Sequence, residues 1–265
     1  DIHKGLSCFE QALAMRRKLC DDPLHPDLAV SLQDMGMAYL ALGDFTKALA
    51  YFEQELEIQE AICKDKPSSL LANSLYNVGS AHQKLGNTRR GLEYFERSLK
   101  MLEQLYGNHP HIDLANSLNG VGDAYYRLND ARRGLKYLEQ AFEMRKKLHK
   151  NVPHVDVADS LYEISSAYET LEDFSRSVEY GEQVLAMRKT LYGDRPHPDI
   201  AAALSKLGTA YQSWGVAKQA SEYFSKGLYY FELALKMYQD LYVDQPNRNL
   251  AGALYNVSNA YNHLG

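Results

Sequence analysis

No stretch of this sequence approaches the roughly 18 consecutive apolar residues that a membrane-spanning helix requires, so a water-soluble protein with no membrane partner is expected. Basic charge is not in excess either. Lys and Arg number 29 against 34 Asp and Glu, a formal net charge of −5, which argues against general affinity for nucleic acid or an anionic surface. The 3 cysteines, Cys8, Cys20 and Cys63, are odd in number and form no C-x-x-C pair, so a reducing, cytoplasmic setting is the simpler expectation. Also missing are any nucleophile or acid–base motif and any glycine-rich phosphate loop of the Walker or dinucleotide type. These absences point away from an enzyme and from a bound cofactor. The opening segment "DIHKGLSCFEQALAMRRKL" carries charges through its apolar stretch, unlike a signal peptide, and the chain reads as an excised piece.

What the sequence does contain is a repeat. At an offset of 43, Ala29, Ala72, Ala115, Ala158 and Ala201 form one column, Leu32, Leu75, Leu118, Leu161 and Leu204 a second, and Ala38, Ala81, Ala124, Ala167 and Ala210 a third. After a longer step of 50, Ala251, Leu254 and Ala260 continue all three. Within a unit the apolar positions fall at helical spacing, as in Leu32, Met35, Gly36 and Tyr39 and then Phe45, Ala48, Phe52 and Leu56. Each unit is therefore expected to be two amphipathic helices. The break between them falls at "ALGDF", "KLGNT", "RLNDA", "TLEDF" and "SWGVA", where Gly43, Gly86, Asn129 and Gly215 suit a left-handed cap and Glu172 fits poorly. Between units, proline stops the second helix, and Asp27, Asp113, Asp156, Asp199 or Asn249 is expected to cap the next, with Ser68 or Ser69 in the second unit.

On these residues the chain resembles tetratricopeptide repeats, whose pattern runs from a large residue through Leu-Gly and Tyr to Ala and Phe in the second helix. Leu32, Met35-Gly36, Tyr39, Ala48 and Phe52 follow it, and the second and third units keep it with His82 for Tyr and Gly91 and Gly134 for Ala. The fourth unit drifts most, with Ser165, Ser177 and Gly181, and looser packing is expected there. A 43-residue unit with "HPD" before "L/I-A-x-x-L" resembles the lengthened repeats of kinesin light chains and nephrocystin-3-like proteins. The implied fold is an all-α solenoid of stacked antiparallel helix pairs in a right-handed superhelix, and the implied function is binding of peptide segments in a concave groove. The expected organisation is a single array. Residues 1–24 form the second helix of a partial unit, 25–66, 67–109, 110–152, 153–195 and 196–246 are five full units, and 247–265 are the first helix of a further one.

One helix pair cannot bury its own apolar face, so units must stack, and about three or more are needed for stability. Neither end of the array carries a polar capping helix, so Leu6, Phe9 and Leu13 at one end and Leu254, Val257, Tyr261 and Leu264 at the other are expected to be sticky, giving a homo-oligomer through the ends. The longer last step, with Tyr223-Phe224 echoed by Tyr230-Phe231, predicts one second helix from about Val216 to Tyr242, with Tyr229 and Tyr238 as candidates for an exposed surface.

The loop histidines His25, His111, His154 and His197 invite a metal ladder, but stacked helices lie about 8–10 Å apart and zinc needs nitrogens within about 2.1 Å, so rungs should not share an ion. His109 and His111 lack a Cys or carboxylate partner at ligand spacing, and no metal site is expected. Cys20 and Cys63, one repeat apart, are too distant for a disulfide. A basic column, Lys47, Arg90, Arg133 and Arg176, opens each second helix with Arg89 and Arg132 beside it, either a solvated edge or one that receives an acidic partner.

The resemblance implies that ligand contacts lie on the inner face of each first helix. In register they are Gln33 and Met37; Asn73, Tyr76, Asn77, Ser80 and Gln83; Asn116, Asn119, Asp123 and Tyr126; Tyr162, Ser166 and Glu169; and Ser205, Thr209 and Gln212. Asn77 stands where the family often places an asparagine that holds a peptide backbone. The set is polar and aromatic and is no carboxylate clamp, because Asp123, Glu163 and Glu169 share the trough. The expected partner is a protein or peptide; the alternative is self-assembly through the ends or the convex face.

Overall fold

The structure, a computed structural model, describes residues 2–64, 66–193, 195–243 and 245–264. Among them run 12 helices and no strand: α1 (Ile2–Leu19), α2 (Pro26–Leu42), α3 (Phe45–Cys63), α4 (Ser69–Lys84), α5 (Thr88–Tyr106), α6 (Ile112–Arg127), α7 (Ala131–Leu148), α8 (Val155–Thr170), α9 (Phe174–Tyr192), α10 (Pro198–Lys218), α11 (Ser221–Leu241) and α12 (Arg248–Leu264). They divide into two compact units, Asp1–Met144 and Arg145–Gly265. Each is a stack of consecutive helices packed pairwise, the α-solenoid class.

The repeated columns are the core. Ala29, Leu32, Met35 and Tyr39 of α2 are buried together with Ala48, Phe52 and Leu56 of α3, and Leu71, Leu75 and Val78 of α4 close the same cluster. Phe95 takes the place of Phe52 one step on and is covered by α6, where a Cβ added to Gly120 would lie 2.9 Å from its ring. In the second unit Phe231 sits equally close to Gly208, 2.6 Å from the same imagined atom. Small residues on the first helices thus make room for large rings on the second, and this fixes how near the helices come.

Within the first unit α4 touches α6 directly, and within the second α10 touches both α8 and α12. The first helices therefore form the more crowded, inner layer of each unit.

The cap chemistry differs from expectation in two ways. Histidine, not the following aspartate, caps four of the first helices: Nδ1 of His25, His111, His154 and His197 accepts from the backbone N–H of Asp27, Asp113, Asp156 and Asp199 at 3.1–3.3 Å. The aspartates stand in the first turn, where their charge suits the helix dipole. Ser68 caps α4 as expected, and Asn247 rather than Asn249 caps α12. At the C-termini, Gly43, Gly86 and Asn129 adopt positive φ, and so does Glu172 at φ 58°, despite its poor fit.

Gly215 is no cap. It lies inside α10, which continues to Lys218 and ends at Gln219 with φ 51°. The predicted helix from Val216 is accordingly corrected to Ser221–Leu241. The extra residues are shared: α10 has 21 where α8 has 16, and α11 has 21 where α9 has 19. Trp214 stacks on Tyr223 at 4.4 Å, and Phe224 packs against Gly215, so the lengthened arms hold each other. Tyr229 is exposed, but Tyr238 is buried and offers no surface. In the fourth unit a serine hydrogen bond bridges the pair. Ser165 Oγ donates to the Ser177 carbonyl at 2.8 Å, and Leu207 fills the space beside Gly181.

No helix is long and apolar enough to cross a membrane. The three cysteines are free.

Candidate functional site

Helical periodicity buries one face of each first helix, and the residues between the core columns are left at the surface. On α4 these are Asn73, Tyr76, Asn77, Ser80 and Gln83, and on α6 they are Asn116, Asn119, Asp123 and Tyr126; all are half-buried. On α2 Gln33 is half-buried and Met37 exposed. In the second unit Tyr162, Ser166, Glu169, Ser205 and Gln212 are half-buried on α8 and α10, and Thr209 is exposed.

Several of these side chains are already engaged within the fold. Gln83 Nε2 donates to Asp123 Oδ2 across α4 and α6 at 2.6 Å, and Arg127 Nε reaches the same oxygen at 2.8 Å. In the second unit Glu169 receives the Lys206 ammonium at 2.5 Å and the Ser213 hydroxyl at 2.9 Å, both from α10. Asp123 and Glu169 are thus neutralised tie-points between neighbouring first helices, and the trough is less acidic than its sequence implies. Ser166 and Thr209 turn their hydroxyls back onto the carbonyls of Tyr162 and Ser205. The Tyr162 ring lies under the cations of Arg188 and Lys206, at 5.5 and 5.8 Å. Tyr76 packs on Phe95, with ring centroids 5.2 Å apart.

The Asn77 side chain lies beside the carboxyl of Glu55, a residue of α3 only 3% exposed. Ser74 Oγ donates to the same carboxyl at 2.7 Å, yet Glu55 Oε2 is buried without a partner. Burial outweighs the Ser74 hydrogen bond and the nearby Asn77 amide and pushes this carboxyl up to about 7. Glu55 escaped the sequence reasoning because its column continues with Ser98, Ala141 and Val184, so periodicity marked it only as a core position.

The basic column has a structural explanation in three units of four. Lys47, Arg133 and Arg176 each pair with the aspartate that opens their own helix, Asp44, Asp130 and Asp173, at 3.1, 3.1 and 2.5 Å. Each also lies over a first-helix tyrosine, Tyr39, Tyr125 or Tyr168, at 4.4–5.6 Å. The backbone N–H and ammonium of Lys47 hold the Asp44 carboxyl below its usual value, and the Arg176 guanidinium does the same for Asp173. Arg90 is the exception. Its helix opens on Asn87, which makes no side-chain cap, and the tyrosine column reads His82. Arg89, Arg90 and Arg127 line an open cavity of about 580 Å³ with Asn87 and Thr88.

The tyrosine column explains His82 as well. Tyr39, Tyr125, Tyr211 and Tyr261 donate to Glu10, Glu96, Glu182 and Glu232, each 29 residues earlier, at 3.5, 2.9, 3.4 and 2.6 Å. His82 stands 29 residues after Glu53 but is buried, stacked on Tyr94 at 5.5 Å, with neither ring nitrogen partnered. Burial lowers its pKa, and Arg90 adds to the effect. The folded state therefore holds fewer protons than the unfolded one below about pH 6.5, and stability is lost as pH falls. His82→Tyr should restore the hydroxyl donor, raise stability by about 1 kcal/mol at neutral pH and remove that acid loss. Urea unfolding at pH 5.5 and 7.5 measures both, and an unchanged acid loss would refute the assignment.

The repeated histidines, beyond capping, gather one cluster that sequence reasoning missed. His149, His154 and Asp156 bring their ligand atoms within 4.8 Å of one another.

Against known proteins, one tetratricopeptide repeat family model matches residues 1–61 and 70–147, and a second matches 157–199. The chain belongs to the tetratricopeptide repeat family. Among solved structures it is similar to BtubC (BKLC) from P. vanneervenii, at 20% identity and a TM-score of 0.74 over 93% of this chain and 95% of that one. It is also similar to a Podosopora anserina putative kinesin light chain with nearly identical TPR-like repeats, at 21% identity and a TM-score of 0.63 over 80% and 97%. A Rap protein complexed with Competence and Sporulation Factor aligns over 99% of this chain and 71% of its own, at 12% identity and a TM-score of 0.61. These likenesses are of fold. No curated protein sequence matches the chain.

Proposed function

We propose that the chain is a protein-interaction scaffold that takes an extended peptide or a partner helix on the exposed face of its first helices. The observation that carries this reading is the row of half-buried amides and aromatics on α4 and α6, the inner layer of the first unit, with Asn73 and Asn116 one repeat apart. Amides at that spacing suit the carbonyl and N–H groups of a bound backbone, while Tyr76 and Tyr126 offer rings to side chains. The Gln83–Asp123 link supports the reading too, since it braces the two helices against each other and keeps the face rigid. That the Rap relative is complexed with a factor fits the same use of the fold.

The test is selection of binders from a displayed peptide library, followed by calorimetry. Asn73→Ala with Asn116→Ala should weaken the selected peptide tenfold or more without changing the fold, and Lys100→Ala on α5 should change it less than twofold. Binding that survives the double change but is lost with Arg89→Glu and Arg90→Glu would move the ligand to the arginine-lined cavity.

A second use has its own observation. Leu254, Tyr255 and Tyr261 of α12 are 50%, 71% and 52% exposed, an apolar surface that favours self-association. At the other end Leu13 is buried and contributes nothing to such a surface. Sedimentation should show concentration-dependent dimers that Leu254→Glu with Tyr255→Glu abolishes; a strict monomer near millimolar concentration would contradict this.

A further inference from the structure

We propose that His149, His154 and Asp156 form a binding site for a divalent transition-metal ion of the zinc, nickel or cobalt class. The site arises where one junction carries a histidine in place of the tyrosine at the junctions on either side. Three of the cap histidines stack on a ring that ends the preceding second helix: His111 on Tyr106 at 3.8 Å, His197 on Tyr192 at 3.5 Å and His154 on His149 at 3.5 Å. Tyr106, His149 and Tyr192 stand in one column, 43 residues apart. At the last of these junctions the phenol does an ordinary task, Tyr192 donating to Asp199 Oδ2 at 2.7 Å. Where the column reads histidine, the phenol is replaced by an imidazole, and a second nitrogen ligand joins the histidine and aspartate that the other junctions also have.

The donor set and its spacing fit an ion. His149 Nε2 and His154 Nδ1 each lie 3.4 Å from Asp156 Oδ2, and the three ligand atoms fall within 4.8 Å. Bonds of about 2.0–2.1 Å in tetrahedral geometry put neighbouring ligands about 3.3–3.4 Å apart, so both nitrogen–oxygen edges already have the required length. Two imidazoles and one carboxylate suit borderline cations such as Zn²⁺, Ni²⁺ and Co²⁺ and leave a fourth position for water. His149 Nε2 is buried and has no hydrogen-bond partner, which leaves its lone pair or proton available. The side chains are 24%, 43% and 40% exposed, so an ion can reach them from solvent.

Coordination makes two demands on the site. The imidazoles are 11° from parallel, so one ring must tilt for the lone pairs to converge. His154 Nδ1 must also release the Asp156 N–H that it now accepts. The Arg145 guanidinium, 3.5 Å from the Asp156 carbonyl, adds positive charge nearby, so affinity should be moderate.

The experiment uses the untagged chain with Co²⁺ visible absorption and Zn²⁺ calorimetry. One equivalent should bind with micromolar affinity. His149→Tyr, which installs the residue found at the two sister junctions, should weaken binding at least a hundredfold with unchanged circular dichroism; His149→Gln serves if the tyrosine variant fails to fold. The converse change, Tyr106→His, should create a second His–His–Asp set with His111 and Asp113 and add a second equivalent. Binding weaker than millimolar, or binding that both His149 variants retain, would overturn the proposal.

Discussion

Replacing Glu55 by glutamine is expected to stabilise the protein by about 3 kcal/mol at pH 8 and to flatten its stability between pH 5 and 7. Glu55 is a carboxyl raised from 4.5 to about 7 by burial, so its folded form keeps a proton that the unfolded chain has already lost. Through that window the native state binds more protons, and stability falls as pH rises. Above pH 7 the loss is complete, and at about 1.4 kcal/mol per pH unit the gap corresponds to about 3 kcal/mol. Glutamine keeps an oxygen for Ser74 Oγ while carrying no charge to desolvate. Urea unfolding of parent and variant at pH 5 and pH 8 measures the effect. Equal pH slopes in the two proteins would show that Glu55 is ionised at no cost in the fold.

Gly134→Ala is expected to destabilise the first unit by about 2–3 kcal/mol. A Cβ there would lie 2.7 Å from the Gly122 carbonyl oxygen and 3.1 Å from the Tyr126 nitrogen. Both are backbone atoms of α6, so no side chain can swing aside and the two helices must separate. Separation would open the packing of Leu138 on Gly122. Gly252→Ala is the matched control, because nothing lies within 4 Å of its added Cβ and alanine is the better helix former by about 1 kcal/mol. Opposite shifts in the urea midpoint are expected. A neutral Gly134→Ala would mean that α6 and α7 pack less closely than described.

The helix pairs were legible in the sequence because the same core is built again and again. A column such as Leu32, Leu75, Leu118, Leu161 and Leu204 exposes both the period and the buried face, and the family resemblance then supplies the stacking. Capping was less legible. Histidine is not among the usual capping residues, and its Nδ1 acts as a cap only when the backbone turns the ring toward the next N–H but one. Gly215 was misread because glycine serves two purposes: at Gly43 it permits φ 79°, whereas at Gly215 it admits Phe224. The left-handed turn there falls on Gln219 instead, a residue with no preference for it.

The candidate site was legible in outline and not in detail. Register alone places Asn73, Asn116 and their neighbours on an exposed face. Which of them are committed to the fold depends on pairs that no period relates, such as Gln83 with Asp123 or Lys206 with Glu169. The histidine at position 149, between Tyr106 and Tyr192 in its own column, was equally visible in the sequence. Its chemistry was not, because the ligand set forms only when the helix end and the following cap fold onto each other.

The proposed function places protein partners on the first helices. Site-specific photo-cross-linking tests this placement, with a photoreactive residue placed singly at Asn73 and Asn116 on α4 and α6, and at Lys100 and Lys136 on α5 and α7. Discrete covalent adducts with a selected peptide are expected from the two first-helix positions and none from the second-helix positions. Adducts from Lys100 or Lys136 with silence at Asn73 and Asn116 would contradict it.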